Sequence, residues 1–274
     1  MDRRAFVQWC ASGLAASRLP LPPRIDKLPA IGLQLYTVRS LLQQDFEGTI
    51  ARVAQIGYRE VEFAGTFGRT ARDVRALLDR HGLRAPATHV SKDALERESQ
   101  RILDDSATIG HRFVCVAWVP QEERRTLDDW KRIAAAFNGI GERCRAAGFQ
   151  FAYHNHDFEF EPLEGRIPYD VLLAETDRQL VQLELDLYWI TKGGADPFAY
   201  FAREPGRFPL VHVKDSAGPP EHRMVDVGSG TIDFRRIFAQ RQAGIRHFFV
   251  EHDQPADPLA SIRASFEHLK QLEF

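Results

Sequence analysis

From Pro29 to the C-terminus the chain alternates short apolar runs with longer amphipathic segments. The runs are "AIGLQLYT" from Ala30, "EVEFAG" from Glu60, "RAPATHV" from Arg84 and "RFVCVAWV" from Arg112, then "QFAYHNH" from Gln150, "VQLELDLYW" from Val181, "FPLVHVKD" from Phe208 and "HFFVEHD" from His247. They are short and rich in β-branched and aromatic residues, as buried strands are. Between them lie segments such as "FEGTIARVAQIG", "ARDVRALLDRHG", "LDDWKRIAAAFNGIGERCRAAG" and "TIDFRRIFAQRQAG". Their apolar residues recur every three or four positions, the helical period. Gly57, Gly82, Gly110, Gly148 and Gly244 stand where these helices should stop, since glycine enters the left-handed region without a Cβ clash. Asp196 and Asp257, each followed by proline, mark helix starts. Eight such alternations predict a closed (β/α)₈ TIM barrel over residues 29–274. An open doubly wound sheet would carry a glycine-rich phosphate turn after its first strand, and "LQLYTVRS" has no glycine.

Ionisable residues gather at the ends of these runs. The second has Glu62, the third His89, the fifth His154 and His156, and the sixth Asp186; the seventh has His212, Lys214 and Asp215, and the eighth Glu251, His252 and Asp253. In a TIM barrel the C-terminal strand ends carry the chemistry. For Asp215, His252 and Asp253 a helix cap, a turn or a surface histidine is the stronger reading. For Asp186, His212 and Glu251 the balance reverses. "LELDLYW" and "LVHVKD" set an ionisable group inside an apolar strand, where it demands a metal or a counter-charge. Oxygen and nitrogen donors from successive strands suit a divalent ion such as Mn²⁺, Zn²⁺, Co²⁺ or Fe²⁺.

Composition narrows the classes. The net charge of −2 and the lack of a long basic run give no phosphate-backbone partner, so no nucleic acid is expected. No apolar stretch is long enough to span a membrane. Cys10, Cys115 and Cys144 form neither a disulfide framework nor a zinc-knuckle pattern. The first 28 residues differ in character: Arg3 and Arg4, then Phe6 and an alanine-rich stretch, ending in "RLPLPPR". This order resembles a twin-arginine export signal with a linker, which would place the mature protein in the periplasm. Without export the chain would stay in the cytoplasm, and the N-terminus would be a disordered or docking extension.

Taken in order, "YHNHDFEF", "LELDLYW", "VHVKDSA", "VDVGSGTIDF" and "FVEHD" resemble the sugar phosphate isomerase/epimerase-like family of xylose isomerase-like TIM barrels. The resemblance spans most of the chain after Pro29. It implies one divalent ion (Mn, Zn, Co, Fe or Mg) and isomerisation or epimerisation of sugars, with dehydratases and lyases on 3-keto-glycosides among the relatives. Carried over position by position, it implies metal ligands at Asp186, His212 and Glu251, with His154 at the fifth-strand position. The well-known ketose epimerases have a glutamate at that fourth position and use two opposed metal-bound glutamates. Here only Glu251 keeps that role. The second acid or base is then His156, Glu159 or Lys214, unless the reaction needs one base only.

The expected chemistry is proton abstraction next to a carbonyl. Glu251 or His156 would take the proton and Lys214 would hydrogen-bond the developing oxyanion. Glu62, His89, Trp118 and Trp189 are candidates for contacting the substrate, a small sugar or glycoside. For the two tryptophans, stacking on a sugar and packing in the core are equally good readings. Loss of a neighbouring substituent would turn the reaction into β-elimination. Phosphodiester cleavage, known from apurinic endonucleases of the same barrel type, and a non-catalytic sugar-binding protein are the weaker alternatives. A homo-oligomer is left open.

Overall fold

The computed structural model describes residues 26–274. The twin-arginine reading rests on residues 1–25, which lie outside the described residues. Eight parallel strands close into a barrel. The first seven are β1 (Gly32–Gln34), β2 (Glu60–Phe63), β3 (Arg84–Val90), β4 (Phe113–Val116), β5 (Gln150–His154), β6 (Val181–Asp186) and β7 (Leu210–Val213). A small hairpin of β8 (Asp215–Ser216) and β9 (Met224–Val225), which no sequence pattern announces, follows β7. The eighth barrel strand is β10 (His247–Val250). Strand β1 bonds to both β2 and β10, so no edge is left open.

The helices follow their local signals. Asp196 and Asp257 each accept a backbone N–H from the first turn of Pro197–Arg203 and Pro258–Gln271. Gly57, Gly82, Gly110 and Gly244 cap helices at positive φ, and Gly148 has φ +85° just past the end of Leu127–Ala146. One boundary departs from expectation. "VQLELDLYW" reads as a single strand, yet β6 ends at Asp186 and helix Leu187–Lys192 begins at once. Asp186 Oδ1 accepts the N–H groups of Tyr188 and Trp189 at 2.9 and 2.8 Å, so the cap overrides the strand preference of Tyr and Trp.

Two apolar cores result. The larger lies between strands and helices and holds outward-facing residues such as Leu33, Val61, Val114, Tyr153 and Leu185. The smaller fills the barrel interior with Ala87, Phe113, Cys115, Ala152, Leu210 and Phe249. Gly32 belongs to this packing: a Cβ there would stand 2.5 Å from the Phe249 ring, so only glycine lets that ring fill the interior. The strand period of two then sets what lies above. Residues two positions further along the same strands also point inward, toward the mouth.

Candidate metal centre and active site

Two tiers of ionisable side chains stand above the apolar interior. The upper tier comprises His154, Asp186, His212 and Glu251, all buried, with donor atoms within 4.8 Å of one another. Asp186 divides its carboxylate. Oδ1 caps the following helix, while Oδ2 lies 3.2 Å from His154 Nε2 and 3.7 Å from His212 Nδ1. Its main-chain N–H donates to Asn155 Oδ1 at 3.0 Å, so the buried Asn155 ties the end of β5 to the end of β6 beside the site. His212 Nδ1 is 2.8 Å from Glu251 Oε2, and its other nitrogen lies 2.7 Å from Glu62 Oε2. A carboxylate behind an imidazole in this way orients the ring as a ligand.

Lys214 brings a positive charge into this tier. Its Nζ lies 2.7 Å from Glu251, 2.8 Å from Asp253 and 3.1 Å from Asp186. Burial opposes the charged amine, but the three carboxylates more than offset it and hold Lys214 well above the usual lysine range. Burial would likewise raise Glu251, yet Lys214 and His212 outweigh it and hold its carboxyl well below the usual value. His154 and His156 behave oppositely: burial, followed by neighbouring positive groups, keeps both far below the ordinary histidine range and therefore neutral.

The donor set fits a divalent ion. The buried Nδ1 of His154 has no hydrogen-bond partner, His212 Nδ1 faces the Glu251 carboxylate at 2.8 Å, and two carboxylates face the same space. A mixed nitrogen and oxygen set suits Zn²⁺, Mn²⁺, Co²⁺ or Fe²⁺ better than an all-oxygen site would.

A cavity of about 520 Å³ opens over this tier, lined by His154, His156, Lys214, Glu251 and Asp253 at its base and by Trp118, His89 and Lys92 on its wall. Trp118 is 49% exposed and meets the His156 ring edge-on at 5.4 Å. His156 lies in the loop after β5, where Phe158 stacks on it with 8° between the rings. Asp253 lines the cavity and pairs with Lys214, so the reading of it as a cap or turn is corrected. Asp215 does hold a turn: its carboxylate accepts N–H groups from Ser216, Gly228, Gly230 and Ile232, clamping the loop after β7.

Three expected site residues lie elsewhere. Glu159 turns away from the cavity: it accepts the Tyr153 hydroxyl at 2.5 Å and the His156 N–H at 2.8 Å, behind β5. Tyr153 alternates outward from His154, and Glu159 follows it into the outer core. Burial pushes the Glu159 carboxyl up to about 8 despite these hydrogen bonds. Trp189 starts a helix instead of ending a strand, so its ring backs His156 at 5.4 Å and Lys214 at 5.7 Å and does not line the cavity. Glu62 sits below the upper tier, fully buried, bonded to Gln34 and His212, out of reach of a substrate.

Glu62 belongs to a lower tier with His89, Glu184 and His212. Of these, Glu184 is the residue that strand-end reasoning misses. Its signal is present in "LELD": two acids two residues apart on a strand share a face, so Glu184 must point inward with Asp186.

A closed parallel barrel with convergent acids and imidazoles at its C-terminal mouth defines a TIM-barrel enzyme architecture with a metal-binding candidate centre. Residues 50–272 match the xylose isomerase-like TIM barrel family, and the chain belongs to it. Inosose dehydratase of Lacticaseibacillus casei is 24% identical over 249 residues, which span 78% of this chain and 80% of that protein. A sugar phosphate isomerase/epimerase from Parabacteroides distasonis superposes with a TM-score of 0.78 at 27% identity, over 88% of this chain and 98% of that one. The IOLI protein, solved with a zinc atom bound, shares the fold with a TM-score of 0.70 at 14% identity, over 87% of this chain and 95% of that one. The curated relatives are enzymes, in line with the expectation of an enzyme here.

Proposed function

We propose that this protein is a metal-dependent enzyme that removes a proton next to the carbonyl of a sugar-like substrate, with isomerisation, epimerisation or elimination as the outcome. The observation that carries this reading is the upper tier itself: two carboxylates and two imidazoles from four strands converge at the barrel mouth, with the buried Nδ1 of His154 left unpartnered. His154, Asp186, His212 and Glu251 would hold the ion. When bound, a divalent ion polarises a carbonyl and acidifies the adjacent C–H.

The chain's own residues supply the rest. Glu251 is ionised and lies at the cavity base, so it is available to accept a proton. His156 is neutral, lines the same cavity and has its Nδ1 unpartnered, which makes it the second group able to move a proton. Lys214 remains charged and donates toward an oxyanion forming between them. Trp118 offers an exposed ring at the rim on which the apolar face of a sugar can stack.

Elimination is the second reading, and a specific observation favours it. The fifth strand presents His154 in place of a carboxylate, so no second glutamate opposes Glu251 within the tier. With a single carboxylate base, Glu251 or the neutral His156 can remove the proton on one carbon, and the charged Lys214 can protonate a leaving hydroxyl or alkoxide on the next. The similarity to inosose dehydratase supports that reading. Incubation of the metal-loaded protein with free keto-sugars, inososes and 3-keto-glycosides in D₂O, followed by NMR, tests it. Deuterium entering a C–H next to the carbonyl is expected, and its absence from all three classes would refute proton abstraction.

A further inference from the structure

The lower tier has the chemistry of a second cation site. Its four residues, Glu62, His89, Glu184 and His212, come from β2, β3, β6 and β7 and point into the barrel beneath the upper tier. Nitrogen and oxygen donors alternate around the group. His89 Nε2 lies 2.6 Å from Glu184 Oε2 and 3.3 Å from Glu62 Oε2, and His212 Nε2 lies 2.7 Å from Glu62 Oε2 and 3.4 Å from Glu184 Oε1. A tetrahedral ion with bonds of about 2.0–2.2 Å keeps its donors roughly 3.3–3.6 Å apart, so the quartet needs only a small expansion to accept one.

Two further observations point to a missing positive partner. Glu62 Oε1 and Glu184 Oε1 are buried and have no hydrogen-bond partner, although both side chains are fully buried. A buried, unpaired carboxylate oxygen is costly. Surrounding residues already have the form of a ligand shell: Gln34 Nε2 donates to Glu62 Oε2 at 2.7 Å, and the Cys115 thiol donates to Glu184 Oε2 at 3.3 Å.

We infer that Glu62, His89, Glu184 and Nε2 of His212 bind a second divalent cation, so that the His212 imidazole bridges two ions. Binding displaces to bulk water both the Nε2 proton of His212 and the proton shared between His89 Nε2 and Glu184, and it neutralises the two glutamates. Of the four ligands of the lower ion, His89 alone lines the cavity. Its place is to fix His212 and β6, and through them Asp186.

Co²⁺ is the probe. Purified protein is stripped with a chelator and dialysed against Co²⁺, and the bound metal is counted for the unmodified chain, Glu184→Gln and Glu62→Gln. Two ions per chain, falling to one in both variants, is the expected result. One ion in the unmodified chain overturns the inference while leaving the upper site standing; two ions unchanged by either variant also overturn it, because the second ion is then elsewhere. No bound ion overturns both this inference and the metal reading of the upper tier. Should a variant fail to fold, anomalous scattering from Co²⁺-soaked crystals of the unmodified protein decides: a peak between His89 and Glu184 supports the site, and its absence overturns it.

Discussion

The lower and upper halves of the barrel interior are built from the same strands, yet they differ in kind. On β7 the inward positions run Leu210, His212, Lys214; on β10, Phe249, Glu251; on β5, Ala152, His154; on β4, Phe113, Cys115. On β5, β7 and β10 the chain climbs in steps of two from a packed apolar residue to an ionisable one, whereas on β4 Cys115 still belongs to the apolar interior. The lower layer resists water and locks the strands together. Built on that floor, the upper tiers can hold buried carboxylates and imidazoles in place, because a charge there cannot relax by moving. Packing and chemistry are therefore separated by about two residues along these three strands, one full strand period.

Substitutions in the two layers should break different properties. In the upper tier, Glu251→Gln keeps the shape but removes the base and one charged ligand of the ion, and turnover should fall by at least about 10²–10⁴-fold with the protein still folded; NMR product assays alongside denaturant unfolding check this. In the floor, Phe249→Ala should cost about 3–5 kcal/mol in denaturant unfolding. Metal content at saturation should be unchanged, since Phe249 supplies no donor. If both substitutions lowered activity and stability equally, the separation of layers would be wrong.

A pH effect at the floor end sharpens the contrast. His111 is buried before β4, its Nδ1 hydrogen-bonded to Ala85 O at 2.7 Å, and burial lowers its pKa to about 4. The unfolded chain takes up this proton near pH 6.5 and the folded one does not, so stability is lost as pH falls from about 6.5 to about 4. The loss is on the order of 3 kcal/mol, and His111→Asn should remove it, as unfolding series at pH 7 and pH 4.5 would reveal. The smallest effect belongs to the rim. Trp118→Ala should change stability by less than about 0.5 kcal/mol, because the side chain is half exposed. It should weaken apparent sugar affinity by roughly 2–10-fold through lost stacking, which steady-state KM would register.

Much of this architecture is legible in the chain. The eight runs, the glycine stops and the Asp-Pro starts each rest on local chemistry, and the barrel has them where expected. The ends of the runs also point to Asp186, His212 and Glu251, because an ionisable group inside an apolar strand requires a partner of opposite charge or an ion. Orientation is where sequence and structure part. The strand preference of Tyr and Trp extends the sixth run to Trp189, but the Asp186 cap ends the strand three residues earlier. Glu159 is close to the mouth by number, and the outward Tyr153 draws it behind β5. Glu184 is overshadowed by Asp186, although the period of two places both on one face.

The sequence by itself determined the number of barrel strands, their order and the polarity of their ends, since periodicity, caps and burial are properties of neighbouring residues. The tertiary structure alone decided which ionisable groups meet. His89 and Glu184 are 95 residues apart and lie 2.6 Å from each other; His212 and Glu62 are 150 apart and lie 2.7 Å from each other. Closing the barrel creates those contacts, because the stagger between strands, and not any local preference, sets which inward residues share a tier.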